Sequence, residues 1–446
     1  MKLNNLKKSD PKVYQIIERE LGRQQNGLEM IPSENFVSEA VLEAMGSILT
    51  NKYSEGYAGK RYYGGNEYID QLETLTIERA KKLFGVPFAN VQPYSGSPAN
   101  LAVYLATCKP GDKIMGLNLV DGGHLTHGWK VSATGIFFKS IPYHVKADGY
   151  LDFEEIRRLA LEHKPKLIWC GATAYSREFP FDKFAEIADE VGAYLVADIA
   201  HIAGLIAAGV HQSPVDYVHI ITTTTHKTLR GPRGAMILTT QKGLAKDPEL
   251  NKKIDQAVFP GLQGGPHNHT TAGIAVALAE ADTKEFKFYG QQIVKNAKAL
   301  AEELKQNQIK LVTDGTDNHL LLVDLTSFGA GKGLFAQEAL ELAGITTNKN
   351  TIPNEPASPF YPSGLRLGTP ALTTRGMTEN EMRLIGKWIA EIINLACQYP
   401  LNIENKEQRT QDIETFKKSI ADNQNIKAIK KEILDLCQKF PLYFEI

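Results

Sequence analysis

The chain has 446 residues, of which 43% are hydrophobic and 23% are charged. This composition is close to that of globular proteins and excludes wholesale disorder. The 50 basic residues balance the 51 acidic ones, so the net charge of −1 gives no field that would attract nucleic acid or an anionic membrane. We therefore expect small-molecule partners.

The N-terminus carries basic residues without an apolar run behind them, so the sequence predicts no secretory signal. The longest apolar stretch, residues 192–210, contains Asp198 and His201. A buried strand followed by a turn explains this stretch better than a membrane span does. The four cysteines lie far apart, which is untypical of a disulfide framework or a zinc ribbon. These observations predict a cytoplasmic protein.

Taken in chain order, the first clear element is a helix over residues 68–84, which Gly85 and Pro87 end. Further along, helical stretches such as 182–191 alternate with short apolar runs. These runs, predicted as strands, are 167–171, 194–198, 217–222 and 235–239. Buried strands that alternate with helices indicate an α/β domain with a mainly parallel sheet.

The pattern changes near residue 285, where a long amphipathic helix begins. Another helix is predicted over 334–343 and ends at Gly344, and Thr378 and Glu381 form a capping box that opens a third. The strands predicted in this region are 309–312, 319–325 and 365–368. The predicted organisation is a helical arm (1–50), a large α/β domain (51–285) and a smaller C-terminal α+β domain (286–446).

The segment from Tyr94 to Asn100 leads into an apolar helical run, with Ser97 predicted as the N-cap and Pro98 in the first turn. Free backbone N–H groups at a helix start, with serine hydroxyls around Gly96, suit a phosphate. An ordinary capped helix would carry the same pattern. This segment alone therefore leaves both interpretations open.

Two polar residues follow predicted strands, where open α/β sheets bind their ligands. Asp198 closes an apolar strand, and a carboxylate there needs a cation, unless it serves as a helix cap. Lys227 follows a run of threonines, and a lysine beside buried polar groups can act as a nucleophilic amine. A phosphate loop, a carboxylate and a lysine, in this order, fit a pyridoxal phosphate site.

Two other patterns are weaker. The glycine-rich residues 329–333 lack the spacing of a P-loop. The pairs His124/His127 and His267/His269 could bind a metal, but no acidic residue or cysteine stands at zinc spacing. The sequence therefore predicts no metal site.

Ten segments, in order and over nearly the whole chain, resemble the serine hydroxymethyltransferase family. They are residues 33–35, 51–57, 59–65, 91–97, 122–128, 198–204, 222–227, 259–266, 316–319 and 364–369. The resemblance implies an aminotransferase-like α/β fold of type I, with pyridoxal 5′-phosphate as cofactor and tetrahydrofolate as co-substrate. It also implies reversible transfer of the hydroxymethyl carbon of serine to tetrahydrofolate, which gives glycine and 5,10-methylenetetrahydrofolate.

The resemblance also implies roles for single residues. Lys227 would bind the cofactor covalently, Asp198 would pair with its ring nitrogen, and His124 would stack on the ring and take part in catalysis. Thr173 and His201 would lie near the ring oxygen. The residues implied around the phosphate are Ser95, Gly96 and Ser97, with Gly264 and Gly265 from a neighbouring subunit.

For the amino acid substrate, the resemblance implies that Arg366 binds the carboxylate and that Ser33 assists. Four residues would reach across the interface of a homodimer: Tyr53, Glu55, Tyr62 and Tyr63. Among them, Tyr53 would contact the cofactor, Tyr63 would act in catalysis, and Glu55 would carry the proton at the substrate hydroxyl and folate. The implied folate pocket comprises Leu119, Gly123, Leu125, Ser358, Pro359 and Phe360.

A few residues differ from those common in the family, namely Pro32, Asn66, Tyr94 and Thr173. Two alternatives remain open. One is another fold type I enzyme, such as a threonine aldolase, which would not require tetrahydrofolate. The other is a cofactor-free binding protein on the same scaffold, against which the joint presence of Lys227, Asp198 and Arg366 speaks.

Overall fold

The computed structural model describes residues 3–443, and the strands below are those of this part of the chain. They are β1 (Leu28–Glu29), β2 (Gly56–Tyr57), β3 (Lys60–Arg61), β4 (Phe88–Asn90), β5 (Lys113–Leu117), β6 (Lys139–Tyr143), β7 (Leu167–Cys170), β8 (Tyr194–Asp198), β9 (Ile220–Thr224), β10 (Ala235–Thr239), β11 (Lys310–Leu311), β12 (Leu320–Asp324), β13 (Ile345–Thr346), β14 (Asn348–Asn350) and β15 (Gly364–Gly368).

The α-helices of the same described residues are α1 (Asn4–Ser9), α2 (Pro11–Asn26), α3 (Glu39–Met45), α4 (Glu67–Phe84), α5 (Gly96–Thr107), α6 (Ala133–Phe137), α7 (Phe153–His163), α8 (Phe181–Val191), α9 (Ala203–Ala207), α10 (Gln241–Lys246), α11 (Leu250–Gln256), α12 (Asn268–Ala281), α13 (Lys284–Gln306), α14 (Gly333–Ala343), α15 (Pro370–Thr374), α16 (Glu379–Ala396), α17 (Lys406–Ala421) and α18 (Gln424–Lys439). None of them is both long and apolar enough to cross a lipid bilayer.

A seven-stranded sheet with the order β4-β10-β9-β8-β7-β5-β6 lies within residues 36–291, which form one compact unit. β10 runs antiparallel to β4 and β9, and all other neighbours pair in parallel. All four residues of β7 are buried, as expected for a parallel strand covered on both faces. The prediction of an α/β domain with a mainly parallel mixed sheet is confirmed.

The strand order gathers several loops at one edge of this sheet. β5, β7, β8 and β9 are parallel, so their carboxyl ends lie at the same edge. β4 points in the same direction, because both β4 and β9 run antiparallel to β10. The loops that follow these five strands begin at residues 91, 118, 171, 199 and 225. Ligands of open α/β sheets bind at such an edge.

The described residues of the ranges 1–35 and 292–446 form a second compact unit. Its four-stranded sheet has the order β11-β12-β15-β14 and is antiparallel throughout. Its apolar core includes Leu321, Phe335, Ile389 and Ile433, which are all fully buried. The domain prediction placed boundaries after residues 50 and 285, whereas the compact units divide after residues 35 and 291.

Several predicted element ends can be compared with the structure. β8 and β10 have the predicted bounds, and the capping box of Thr378 and Glu381 is present at the start of α16. β9 is shifted and ends at Thr224, because β-branched threonines continue the strand beyond its apolar part. The predicted N-cap at Ser97 is wrong, since α5 already begins at Gly96 with Ser95 as its N-cap.

Candidate active site

Asp198, the last residue of β8, is a largely enclosed charged group at this edge of the sheet. Its side chain is 11% exposed. Its Oδ2 accepts hydrogen bonds from Asn100 Nδ2 (2.9 Å) and His127 Nε2 (3.2 Å), and its Oδ1 accepts one from the backbone N–H of Ala200 (3.1 Å). Burial alone would raise the pKa of Asp198, but these donors and the nearby histidines hold it below its ordinary value. The carboxylate is therefore negatively charged.

A chain of hydrogen bonds connects Asp198 to His124. Asn100, buried in α5, donates its second amide proton to Thr126 Oγ1 at 2.8 Å. The hydroxyl and the backbone N–H of Thr126 both contact His124 Nδ1, at 2.7 and 3.3 Å. Because the backbone N–H can only donate, Nδ1 is the acceptor and Nε2 of a neutral His124 carries the proton. Burial lowers the pKa of His124 to about 4, which keeps the ring neutral near pH 7.

His127 supports Asp198 from the other side. Its ring is stacked on Trp169, with centroids 5.0 Å apart and an interplanar angle of 11°. The backbone N–H of His124 contacts His127 Nδ1 at 3.5 Å. This contact makes Nδ1 the acceptor and leaves the proton on Nε2, which donates to Asp198. Packing and hydrogen bonding thus fix both the position and the tautomer of the ring.

Lys227 lies three residues beyond the end of β9, and its Nζ donates to Thr224 Oγ1 at 2.8 Å. Thr224 also contacts the phosphate-loop candidate, because a Cβ built on Gly96 would meet Thr224 Cγ2 at 2.9 Å. The structure therefore brings Lys227 and the Ser95–Ser97 loop to one threonine. The charge of Asp198 raises the pKa of His124 and the charge of Lys227 lowers it. Lys227, Asp198 and His124 therefore lie close to one another.

Thr173 and His201 lie in the loops after β7 and β8. The Thr173 hydroxyl contacts the carbonyl oxygens of Gly122 (3.1 Å) and Gly123 (3.2 Å), so it holds the His124 loop close to the loop after β7. His201 is buried, and its carbonyl accepts a hydrogen bond from Thr228 Oγ1 at 2.9 Å. Leu119 and Leu125 flank His124 in the same loop. Thr173 and His201, which the resemblance implied near the ring oxygen of the cofactor, therefore both lie at the edge where the carboxyl ends of the parallel strands meet.

Residues 53–65, here called the tyrosine segment, hold most of the residues that the resemblance implied at a subunit interface. The residues Tyr53, Tyr62 and Tyr63 are 53%, 75% and 47% exposed. The Tyr53 hydroxyl donates to Glu55 Oε1 at 2.9 Å, and its ring contacts that of Tyr63 edge to face, with centroids 5.0 Å apart. The segment thus presents a carboxylate among exposed tyrosines.

Gly264 and Gly265 lie against the tyrosine segment. A Cβ on Gly264 would meet Glu55 Oε1 at 3.1 Å, and one on Gly265 would meet the Tyr53 ring at 3.3 Å. Tyr94 connects the two glycines to the loop before α5, because its hydroxyl donates to the Gly265 carbonyl at 2.7 Å. The two groups of predicted interface residues therefore form one cluster within this chain.

The remaining predicted residues belong to the second compact unit. Arg366, in the middle of β15, donates from Nε to Asn348 Oδ1 at 3.1 Å. Burial lowers its pKa to about 10, and the charge of Glu34 opposes this effect. Ser33 follows Pro32, which lies against Gly368 near the end of β15. Residues 358–360 are exposed.

His124, His127 and Asp198 present ligand atoms within 4.8 Å of one another. The sequence could not show this grouping, because Asp198 follows His127 by 71 positions. The hydrogen bonds described above already use Nδ1 of both histidines and connect Nε2 of His127 to the carboxylate. The structure therefore accounts for these residues as a hydrogen-bonded group, and the absence of a metal site stays a prediction.

Sequence reasoning gave no role to Asn100, Thr126 or Trp169, and it considered His127 only as a metal ligand. One signal was present for Asn100, which is the one amide side chain in the mainly apolar helix α5. The roles of Thr126 and Trp169 depend on how two distant loops meet. Spacing along the chain does not carry that information.

Comparisons with known proteins identify the family to which the chain belongs. The family model described as serine hydroxymethyltransferase matches residues 6–389. A curated protein of Acidothermus cellulolyticus with the name serine hydroxymethyltransferase is 60% identical over 386 residues, which cover 86% of this chain and 88% of that protein. On both findings, the chain belongs to the serine hydroxymethyltransferase family.

Proposed function

We propose that the edge formed by Asp198, His124 and Lys227 binds pyridoxal 5′-phosphate and that the chain uses this cofactor to exchange a one-carbon unit between serine and tetrahydrofolate. The reaction is that of the family: the hydroxymethyl carbon of serine passes reversibly to tetrahydrofolate, leaving glycine. The observation that carries the proposal is Asp198, a largely enclosed carboxylate kept charged at the same edge as Lys227.

When bound, pyridoxal phosphate supplies an electron sink through its protonated ring nitrogen, and its phosphate needs hydrogen-bond donors. The residues present fit both needs. The negative charge of Asp198 would hold the proton on the ring nitrogen, and the start of α5 offers backbone N–H groups with the hydroxyls of Ser95 and Ser97. A side chain at Gly96 would collide with Thr224, so glycine keeps the phosphate space open.

His124 would cover one face of the cofactor ring. A neutral imidazole suits this position, because a second cation would compete with the ring nitrogen for the charge of Asp198. Thr173 and His201, from adjacent loops, would bind the ring oxygen. Lys227 would hold the cofactor covalently and would move protons at the substrate carbon.

Arg366 would bind the carboxylate of serine, with help from Ser33. The planar guanidinium can donate two parallel hydrogen bonds to a carboxylate. Its charge is desolvated, as the lowered pKa indicates, and a desolvated cation gains more from an incoming anion than an exposed cation does. The folate would be bound by the residues Leu119, Gly123, Leu125, Ser358, Pro359 and Phe360.

We also propose a homodimer in which the tyrosine segment completes the partner's site. Exposed tyrosines are typical of surfaces that another chain covers, and a two-fold axis would present each segment to the other subunit. Glu55 would carry the proton at the substrate hydroxyl, and Tyr53 would contact the cofactor. Gly264 and Gly265 lie against Tyr53 and Glu55. They would approach the phosphate of the partner's cofactor.

Replacement of Lys227 tests the cofactor proposal. Wild-type protein loaded with pyridoxal phosphate and dialysed should retain visible absorbance, and its cleavage of serine should require tetrahydrofolate. Lys227→Ala should lose this absorbance and nearly all turnover, because Lys227 supplies the amine that would bind the cofactor. Lys242→Ala, a partly exposed lysine paired with Asp189, is the control and should behave as wild type. Normal turnover by Lys227→Ala would refute the proposal.

Mixed dimers test the shared site. Lys227→Ala and Glu55→Gln subunits are each expected to be inactive on their own. If Glu55 serves the partner, each mixed dimer has one undamaged site, and random pairing should restore roughly a quarter of wild-type activity. If Glu55 serves its own subunit, every site carries a lesion and no activity returns. Absence of recovery in proven mixed dimers would contradict the shared site.

A further inference from the structure

The side chain of Arg61 is unusual because it is a cation with only 4% exposure beneath an exposed segment. Arg61 belongs to β3, which pairs with β2 in the two-stranded ribbon of the tyrosine segment. Its Nη1 donates to the carbonyl oxygens of Ser54 (2.9 Å) and Gly56 (2.6 Å). These two carbonyls belong to the residues immediately before and after Glu55, so Arg61 fixes the backbone on both sides of that carboxylate.

The rest of the guanidinium binds two carboxylates of α4. Nε contacts Asp70 Oδ1 at 2.8 Å, and Nη2 lies 3.1 Å from Glu73 Oε2. The same carboxylates accept the backbone N–H groups of Gly59 (2.9 Å, Asp70) and Ala58 (3.3 Å, Glu73). Arg61 thus joins the turn of the ribbon, the backbone around Glu55 and one helix through a single planar group.

Other contacts also hold this backbone, and the N–H of Tyr62 donates to the carbonyl of Glu55 itself at 3.0 Å. Arg61 contributes a side chain that binds the carbonyls on both sides of Glu55. Asn268 donates to the Lys52 carbonyl at 2.7 Å and accepts the Ser54 hydroxyl at 2.8 Å. Gln92 donates to the Gly56 carbonyl at 3.0 Å and to Glu73 at 2.8 Å. The carboxylate of Glu73 is buried, so loss of its cation would leave these neighbours around an uncompensated charge.

We propose that Arg61 is a positioning residue for the transfer reaction: it holds the backbone that aims Glu55, and through Glu55 it controls turnover at the partner's active site. The inference rests on the proposed function, in which Glu55 serves the neighbouring subunit. Arg61 itself does not touch the reacting atoms. Its loss therefore affects the placement of Glu55 and leaves the cofactor bound.

Kinetics of the holoenzyme with Arg61→Met test this role, with Arg61→Lys as the conservative variant. A displacement of a catalytic group by about 1 Å can lower the rate on the order of 100-fold, so kcat of Arg61→Met should fall roughly 10- to 100-fold. Visible absorbance of the bound cofactor and the KM for serine should change little. Arg61→Lys keeps the charge beside Glu73 and should recover part of kcat, and it carries the test if Arg61→Met does not fold.

Two further measurements separate positioning from general loss of structure. Lys60→Met, an exposed neighbour on the same strand, is the matched control and should keep wild-type kcat. Backbone hydrogen exchange should accelerate in residues 53–65 of Arg61→Met and should be unchanged in the central sheet. A kcat within twofold of wild type in Arg61→Met, or uniform acceleration of exchange over the whole unit, would overturn the proposal.

Mixed dimers of Arg61→Met with Lys227→Ala locate the effect. If Arg61 acts on the partner's site, these dimers should regain roughly a quarter of wild-type activity, as for Glu55→Gln. Recovery with Glu55→Gln but not with Arg61→Met would overturn the role of Arg61 and leave the shared site intact. Absence of recovery in both mixtures would overturn the shared site and, with it, this proposal.

Discussion

The edge around Asp198 and the tyrosine segment hold their predicted catalytic residues in opposite ways. Asp198 is enclosed and accepts three hydrogen bonds from the chain itself. Tyr53, Tyr62 and Tyr63 are about half exposed or more, although Arg61 binds the backbone carbonyls of Ser54 and Gly56 in the same segment. The chain itself therefore supplies the hydrogen-bond donors of the first region, whereas the tyrosine side chains of the second region remain exposed in this chain.

The largest effect is expected for a substitution in the enclosed region around Asp198. Asp198→Asn removes the negative charge but keeps the shape, so the ring nitrogen of the cofactor would lose its ionic partner. Removal of one member of a buried pair costs about 3–5 kcal/mol, so kcat should fall at least 100-fold and more steeply than cofactor affinity weakens. Equilibrium dialysis and initial rates measure both. The surface carboxylate Asp189, replaced by Asn, is the control, and equal behaviour of the two variants would contradict the assigned role.

A second prediction extends the comparison to the other compact unit, where Arg366 is also enclosed. Arg366→Lys keeps the charge but cannot donate two parallel hydrogen bonds to a carboxylate. The expected loss is about 2–3 kcal/mol in kcat/KM for serine, which is the size of a charge-assisted hydrogen bond. Arg383→Lys changes an exposed arginine on α16 and should have no effect. If saturation by serine is unchanged in Arg366→Lys, another residue binds the carboxylate.

The smallest expected effect concerns stability as the pH changes. The pKa of His124 is lowered to about 4 by burial, so between pH 6.5 and 4 the unfolded chain binds a proton that the folded chain does not. Stability should therefore fall as the pH falls through this window. At pH 5 the contribution is on the order of 1–2 kcal/mol. The melting temperature of His124→Asn should drop less than that of the wild type between pH 7 and 5, and equal drops would contradict the shift.

The sequence predicted those strands whose residues form a continuous apolar run. β8 and β10 are continuous apolar runs, and both have the predicted bounds. β5 and β6 were not identified, because lysine, glycine and proline interrupt their apolar residues. Their strand conformation depends on pairing in the sheet, which is a tertiary effect.

In the candidate site, too, the sequence did not predict features that depend on tertiary contacts. The ends of β8 and β9 pointed to Asp198 and Lys227, and the family resemblance added His124. The partners of these residues, Asn100 and His127, depend on contacts between α5, the loop after β5 and β8, which no spacing along the chain encodes. Arg61 was also missed, because nothing in the sequence distinguishes it from an exposed arginine of a turn. Its burial follows from the position of α4 beneath the ribbon.

The central position of β8 in its sheet has a consequence for the lifetime of the site. Three strands lie on either side of β8, so its backbone amides are released only when hydrogen bonds to β7 and β9 open together. Such openings approach the free energy of global unfolding, whereas an exposed ribbon opens at far lower cost. The carboxylate of Asp198 is therefore expected to keep its position when less stable parts of the unit open. Faster opening is expected at the exposed ribbon of the tyrosine segment, the surface for which we propose contact with a second subunit.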